Sequence, residues 1–231
     1  MEIKRIKIML VGHKGKMGSV VFDTLKKDYD VVGFSKEDKP TTDADMVVDF
    51  ASAESSVCMA KWCAEKNIPL VIGSTGQSDL QMKEILNASK RVPIFIAGNF
   101  SVGIKNLKRA LEKIVTKDAK DVIVFEKHHR SKKDAPSGTA KEIVKVITDK
   151  FGVVANVVFE RGGKEIGTHT VDVYYEDEVI TISHKVFSRE AFAGGVKRAV
   201  EYMQKVKKSG LYTMEDINFW QNLKCRLTQM Y

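Results

Sequence analysis

The feature that most constrains the fold lies near the start of the chain. An apolar run over residues 3–11 ends in Gly12-His13-Lys14-Gly15-Lys16-Met17-Gly18 and passes directly into a helical pattern beginning near Gly15. Strand, glycine turn and helix in succession open a βαβ unit, which commits the segment to a parallel sheet. Glycines let the backbone approach a pyrophosphate, and the helix that follows presents free N–H groups and the positive end of its dipole. The spacing departs from the general G-x-G-x-x-G fingerprint, whose glycine positions would be Gly12, Lys14 and Met17; the pattern here is G-x-x-G-x-x-G. A loop of this kind in isolation is equally a tight βα turn. Its place at the head of a βα pattern favours dinucleotide binding.

Short apolar runs recur at residues 31–35, 46–50, 70–72 and 94–97, with helical patterns at 54–66 and 78–90. Strands alternating with helices predict a parallel sheet covered on both faces. The rhythm changes after Phe100. A helix over 102–115, a strand over 121–127, a polar loop, a helix over about 137–150 and three strand-like runs (153–161, 168–176, 178–187) follow. Alternation at Val171, Val173 and Tyr175, and the tight Glu176-Asp177-Glu178 turn, point to an antiparallel hairpin. The expected fold is therefore α/β: a Rossmann-like dinucleotide-binding domain over 1–100 and 189–231, and an α+β substrate domain over 101–188 with an open mixed sheet. The stretch from 189 to 208 and onward to 231 reads as helical and is expected to return to the first domain.

Net charge of +8 leaves nucleic acid, an anionic membrane surface and an anionic small molecule open as partners. The cations are interleaved with acids, without a block of like charge that would form a binding tail. RNP-type aromatics, a recognition-helix signature and zinc-finger spacing are also lacking, so a nucleic-acid-binding module is the weaker reading. Cys58, Cys63 and Cys225 form no paired spacing, which signals neither a disulfide framework nor a metal site. No apolar stretch approaches the ~18 residues of a membrane span. These features predict a cytoplasmic protein without metal or membrane partner.

Two segments carry chemistry. The second strand ends Val32-Gly33-Phe34-Ser35-Lys36, and the residue there selects the cofactor: an acid bonds the ribose hydroxyls, whereas a cation receives a 2′-phosphate. Ser35 and Lys36 favour NADPH, with NADH kept open by Glu37 and Asp38 just beyond. The second segment is the stretch from Glu126 to Ala140, which compresses His128, His129, Arg130, Lys132, Lys133 and Pro136-Ser137-Gly138-Thr139 into one loop. Pro136 suits the opening of a helix, whose Gly138 and Thr139 N–H groups and neighbouring hydroxyls would hold a carboxylate. His128 or Lys132 would supply a proton to an atom made electron-rich by hydride.

Taken with Val48-Asp49-Phe50, Gly73-Ser74-Thr75-Gly76, Ala97-Gly98-Asn99-Phe100-Ser101-Val102-Gly103 and Ser188-Arg189-x-x-Phe192-Ala193-x-Gly195, these blocks resemble the 4-hydroxy-tetrahydrodipicolinate (dihydrodipicolinate) reductases of the diaminopimelate and lysine pathway, over nearly the whole chain. The resemblance implies reduction of a cyclic 4-hydroxy imine dicarboxylate by NADH or NADPH, with release of water. It implies His128 and Lys132 as proton-transfer groups, and His129, Ser137, Gly138 and Thr139 at the substrate. It also implies cofactor contacts from Gly12, His13, Lys14, Gly15, Lys16 and Met17, from Gly73, Ser74 and Thr75, from Ala97, Gly98, Asn99 and Phe100, and from Ser35, Lys36 and Arg189. A homotetramer joined through the open sheet is implied as well. Three departures stand out: Ser131 where many members carry histidine, Ser74 for a common threonine, and a short segment over 36–44 without the usual acid at Ser35. A different nicotinamide enzyme, such as an amino-acid dehydrogenase, would share the glycine loop but not need the histidine-pair loop.

Overall fold

The structure, a computed structural model, describes residues 5–35 and 43–217. Lys36, Glu37, Asp38 and Cys225, most of the short segment after the second strand, and the stretch from 218 to 231 lie outside the described residues. The chain divides into two compact units, one drawn from the described residues of Met1–Phe100 and Ala193–Tyr231, the other Ser101–Phe192. The second crossing between them follows Phe192.

In chain order the first unit contains β1 (Lys7–Val11), α1 (Lys16–Leu25), β2 (Asp30–Phe34), β3 (Met46–Asp49), α2 (Ala53–Lys66), β4 (Leu70–Ile72), α3 (Asp79–Ser89) and β5 (Pro93–Ile96). Every pairing in its sheet is parallel. Strand alternation explains the two-sided core. Ile8 and Leu10 pack toward Val21 and Leu25 of α1, whereas Met9 and Val11 pack toward Val57, Ala60 and Ile85 on α2 and α3. Because both faces are covered, the β1 residues Ile8, Met9, Leu10 and Val11 are all buried. Local chemistry ends the helices: Ser52 accepts from Ser55 N–H to start α2, Asn67 closes it with φ 55°, and Ser78 and Gln81 form a capping box on α3.

The second unit holds α4 (Val102–Ile114), β6 (Asp121–His128), α5 (Gly138–Phe151), β7 (Ala155–Arg161), β8 (Gly167–Tyr174) and β9 (Val179–Val186). Its sheet runs β7-β6-β8-β9, mixed because β6 and β7 are parallel while β8 is antiparallel to both β6 and β9. The expected hairpin joins β8 to β9, closed by the Tyr175 N–H donating to Glu178 O at 2.8 Å. Val122, Val124, Val171 and Val173 pack with Leu107, Leu111, Ile143 and Ile147 of α4 and α5, leaving the other sheet face without a helix among the described residues.

Two expectations need correction. The helical pattern after residue 189 forms α6 (Glu190–Met203) but does not continue: Gly210–Tyr212 is a strand, β10, paired parallel with β5 at the sheet edge, and a 3-10 turn over Met214–Asp216 follows. A three-residue strand is too short to show a period, and α6 has already ended at Met203. Pro136 does not open α5. It precedes the cap, and Ser137 is the N-cap residue whose side chain accepts from Ala140 N–H.

Candidate active site

In the first unit the loop after β1 is shaped by what its residues lack. Gly12 has φ +78°, and a Cβ there would lie 2.8 Å from the backbone of Phe50 and Ala51. A Cβ on Gly18 would lie 2.0 Å from Gly12 O, so α1 can seat directly on the loop only with glycine at that position. Gly15 donates to Gly12 O at 3.0 Å and stands at the N-cap of α1 without any side-chain cap. The first turn carries no acidic residue, and Lys14 and Lys16 flank it exposed. Uncapped N–H groups, a dipole end and two cations together make an anion cradle.

A cleft of about 790 Å³ opens beside this loop, lined in part by Gly12, His13, Gly15, Phe34, Ser35 and Ser55. The His13 ring lies across Gly33, with Nδ1 3.3 Å from Phe34 O. At the carboxyl end of β3, buried Asp49 accepts from Ala51 N–H at 2.9 Å, Ser55 Oγ at 3.2 Å and Ser56 Oγ at 2.8 Å. Burial pushes its carboxyl up, against those three hydrogen bonds. Ser56 in turn meets Ser74, which Gln77 Nε2 also reaches at 3.1 Å, and this chain of contacts fixes the Gly73-Ser74 turn after β4. Thr75 is exposed beyond it. Ala97, Gly98 and Asn99 follow β5, but Phe100 turns its ring into the core against Phe50 and Phe95. The glycine loop, Ser35, Gly73 to Thr75 and Ala97 to Asn99 thus all follow carboxyl ends of parallel strands, where open α/β sheets bind ligands.

The second unit presents the opposite design. Glu126 and His128 stand two residues apart on β6, both buried, at 2% and 7% exposed. The register places His169 of β8 opposite Glu126 and Arg161 of β7 opposite His128, so four polar side chains share one buried face. Arg161 Nη2 donates to Glu126 Oε1 at 2.6 Å and to the Asp134 carbonyl at 2.7 Å. Both carboxylate oxygens accept from Ser137 N–H, at 3.0 and 3.2 Å. Ser137 Oγ, besides capping α5, lies 3.3 Å from His169 Nε2. Ser137 therefore faces inward with its N–H and hydroxyl engaged, while Gly138 is exposed and Thr139 half-buried on the first turn of α5. Lys132 is half-buried in the loop and donates to both Asp134 oxygens, at 2.7 and 2.9 Å. His129 Nδ1 lies 2.9 Å from Ser131 Oγ. Arg189 is half-buried just ahead of α6.

Burial would raise the Glu126 carboxyl, but hydrogen bonds from Ser137 and Arg161 outweigh it and hold the group below the usual carboxylate range. Burial pushes His128 down, with Lys132 acting the same way and Glu126 against it. Burial, then His128, pushes His169 down to about 4. At neutral pH the cluster is thus one carboxylate, one guanidinium and two neutral imidazoles. Donor atoms of Glu126, His128 and His169 lie within 4.8 Å of one another, a spacing a metal could use. Arg161 Nη2 already donates to Glu126 Oε1, and Oε2 lies 3.6 Å from His128 Nδ1 and 3.7 Å from His169 Nε2. Glu126 and Arg161 form an ion pair within the cluster.

Two family models match: dihydrodipicolinate reductase, N-terminus, over residues 30–100, and dihydrodipicolinate reductase, C-terminus, over residues 103–217. The chain belongs to the dihydrodipicolinate reductase family. A relative named 4-hydroxy-tetrahydrodipicolinate reductase from Caldanaerobacter subterraneus subsp. tengcongensis is 36% identical, over 92% of this chain and 98% of its own length. One of the same name from Archaeoglobus fulgidus is 36% identical over 78% of each chain. Among solved structures, a dipicolinate-bound dihydrodipicolinate reductase from Paenisporosarcina sp. TG-14 shares the fold with TM-score 0.75 at 20% identity, covering 93% of this chain and 100% of that one. Aspartate dehydrogenase from Thermotoga maritima is similar in fold as well, at TM-score 0.55 and 12% identity, over 87% and 98%.

Within this dihydrodipicolinate reductase family member, reading from sequence missed Arg161 and His169 and gave Glu126 no task. One signal was present: His169 sits at an inward position of the alternating strand Gly167–Tyr174, where a polar side chain demands a partner. That Glu126 and Arg161 are that partner's neighbours depends on strand register, which joins residues 35 apart.

Proposed function

We propose that the chain reduces 4-hydroxy-tetrahydrodipicolinate to tetrahydrodipicolinate with NAD(P)H, in the diaminopimelate and lysine pathway. The observation carrying this reading beyond family membership is the pairing of an uncapped glycine cradle in one unit with a buried, charge-paired histidine site beneath a cationic loop in the other. The cradle fits a dinucleotide, since glycine at Gly12 and Gly18 lets the loop close on the main chain of Phe50 and Ala51 and seats α1 on it, with the uncapped N–H groups of that helix left for a pyrophosphate. Gly12, His13, Lys14, Gly15, Lys16 and Met17 would hold the pyrophosphate. Gly73, Ser74, Thr75, Ala97, Gly98, Asn99 and Arg189 would line the remaining length, with Phe100 acting from the core behind it. Ser35 and Lys36 would meet the adenosine ribose and favour NADPH. The bound cofactor would supply hydride.

The chain's own residues do the rest. Loss of water from the substrate leaves a conjugated imine; hydride addition at its far carbon places charge on the carbon beside the imine, and a proton must arrive there. Lys132 Nζ and His128 are the proton-transfer groups, with Asp134 holding the lysine. His129 and the first-turn N–H groups of Gly138 and Thr139, at the dipole end of α5, orient the two carboxylates together with the surrounding cations. Ser137 contributes by fixing that helix start.

In this reading the substrate domain is 101–188 and the dinucleotide-binding domain the remainder. Phe125, Val158 and Val179, exposed on the second sheet, support a homotetramer joined there. No described helix is long and apolar enough to cross a membrane, in keeping with a cytoplasmic enzyme. A coupled assay tests the reading: the product of the aldolase-type synthase is supplied as substrate while oxidation of NADPH and NADH is followed separately. Turnover with either is expected, and none with both overturns it.

A further inference from the structure

We propose that Glu126 is the positioning residue of the proton-delivery loop, one buried carboxylate that fixes both ends of the segment carrying Lys132 and faces the imidazole of His128. The proposal rests on the functional reading above.

Geometry supports it first. The loop leaves β6 at His128 and ends at Ser137, the cap of α5. Glu126 stands two residues before the departure point and accepts the Ser137 N–H with both oxygens at the return point. Arg161, bound to the same carboxylate, reaches the Asp134 carbonyl inside the loop. Three tethers thus converge on one side chain, and between them lie His129, Lys132 and Asp134, whose carboxylate holds the lysine. Glu126 is itself 2% exposed, so water cannot substitute for it.

Charge supports it second. His128 faces Glu126 on its own strand, Arg161 from β7, His169 from β8 and Lys132 and Asp134 from the loop, with His184 of β9 acting on His169 behind it. A proton on His128 Nδ1 needs an acceptor. Glu126 Oε2, 3.6 Å away, is the nearest carboxylate oxygen, too far for a hydrogen bond in the neutral ring and close enough to attract a protonated one. Without that carboxylate the ring would face Arg161 and Lys132 with only Asp134 opposing, and proton uptake would be suppressed. Arg161 in turn keeps Glu126 ionised from the Oε1 side, so Oε2 keeps its negative charge toward the ring without leaving an unpaired buried ion.

Imidazole nuclear magnetic resonance of the unliganded full chain, followed as pH is varied, and steady-state kinetics test this on Glu126→Gln. The His128 midpoint is expected to move to lower pH, and the alkaline limb of kcat with it. At neutral pH kcat is expected to fall about tenfold or more, part of the 10²–10⁴ a positioned acid is worth, while KM for NADPH changes less than about twofold. An unmoved His128 midpoint in folded protein overturns the proposal, because a merely structural ion pair would lower stability without touching that titration. Should Glu126→Gln fail to fold, the double variant Glu126→Gln/Arg161→Gln removes both buried charges together. It is expected to show the same loss of kcat, and parental kcat in it overturns the proposal. If the parent lacks reductase activity, the functional reading fails, while the imidazole titration still decides whether Glu126 governs His128.

Discussion

The glycine loop of the first unit and the histidine loop of the second solve the same problem, holding an anion, by opposite means. The first strips side chains away: at Gly12 and Gly18 any Cβ would strike backbone, and the binding groups are main-chain N–H donors. The second buries side chains, with Glu126, Arg161, His128 and His169 on one face of a sheet. Main-chain donors do not titrate; a side-chain cluster carries charge and responds to pH. Binding and chemistry should therefore separate between the units on mutation.

The largest effect should come from breaking the side-chain half. Replacing His128 and Lys132 together by alanine is expected to reduce kcat by about 10⁴-fold or more, while NADPH titration by fluorescence stays within about twofold of the parent; equal loss of cofactor affinity would erase the division of labour. Acid should expose the same half. His169 is held neutral well below its ordinary 6.5, so its contribution to stability is complete above 6.5 and is lost as pH falls through about 4. Denaturant unfolding is expected to show a loss of about 3 kcal/mol over that range, with Glu126 adding to it at lower pH, and most of the slope should vanish in His169→Asn.

The backbone half should break differently. Gly12→Ala forces a non-glycine residue to φ +78° against neighbouring main chain, and cofactor affinity should weaken about tenfold, with the pH profile of kcat at saturating cofactor unchanged. The smallest effect concerns selectivity: a single cation at a 2′-phosphate in water is worth roughly 1 kcal/mol, so NADPH should bind about fivefold more tightly than NADH. The reverse order would remove Ser35 and Lys36 as selectors.

How much was readable from sequence follows the same contrast. The glycine loop, the strand ends at Gly73 and Ala97 and the helices of the first unit are local signals, written in glycine spacing, caps and hydrophobic period. His128, Lys132 and the Ser137 cap are also consecutive in the chain. Arg161 and His169 join the site only through β6-β7 and β8 pairing, and strand register is decided by tertiary packing. Strand β10 was misread for a related reason: the three residues Gly210–Tyr212 carry no period, and only pairing with β5 makes them a strand.

That late strand has a consequence for how the polypeptide reaches its final form. Ala193, Val196, Ala199, Val200, Met203, Met214 and Ile217 complete the same core that Ile8 and Leu10 begin. On the ribosome, residues 1–100 must wait for residues 193–217 before their shared interior can close. The intervening unit, one continuous stretch over Ser101–Phe192, is free to mature meanwhile.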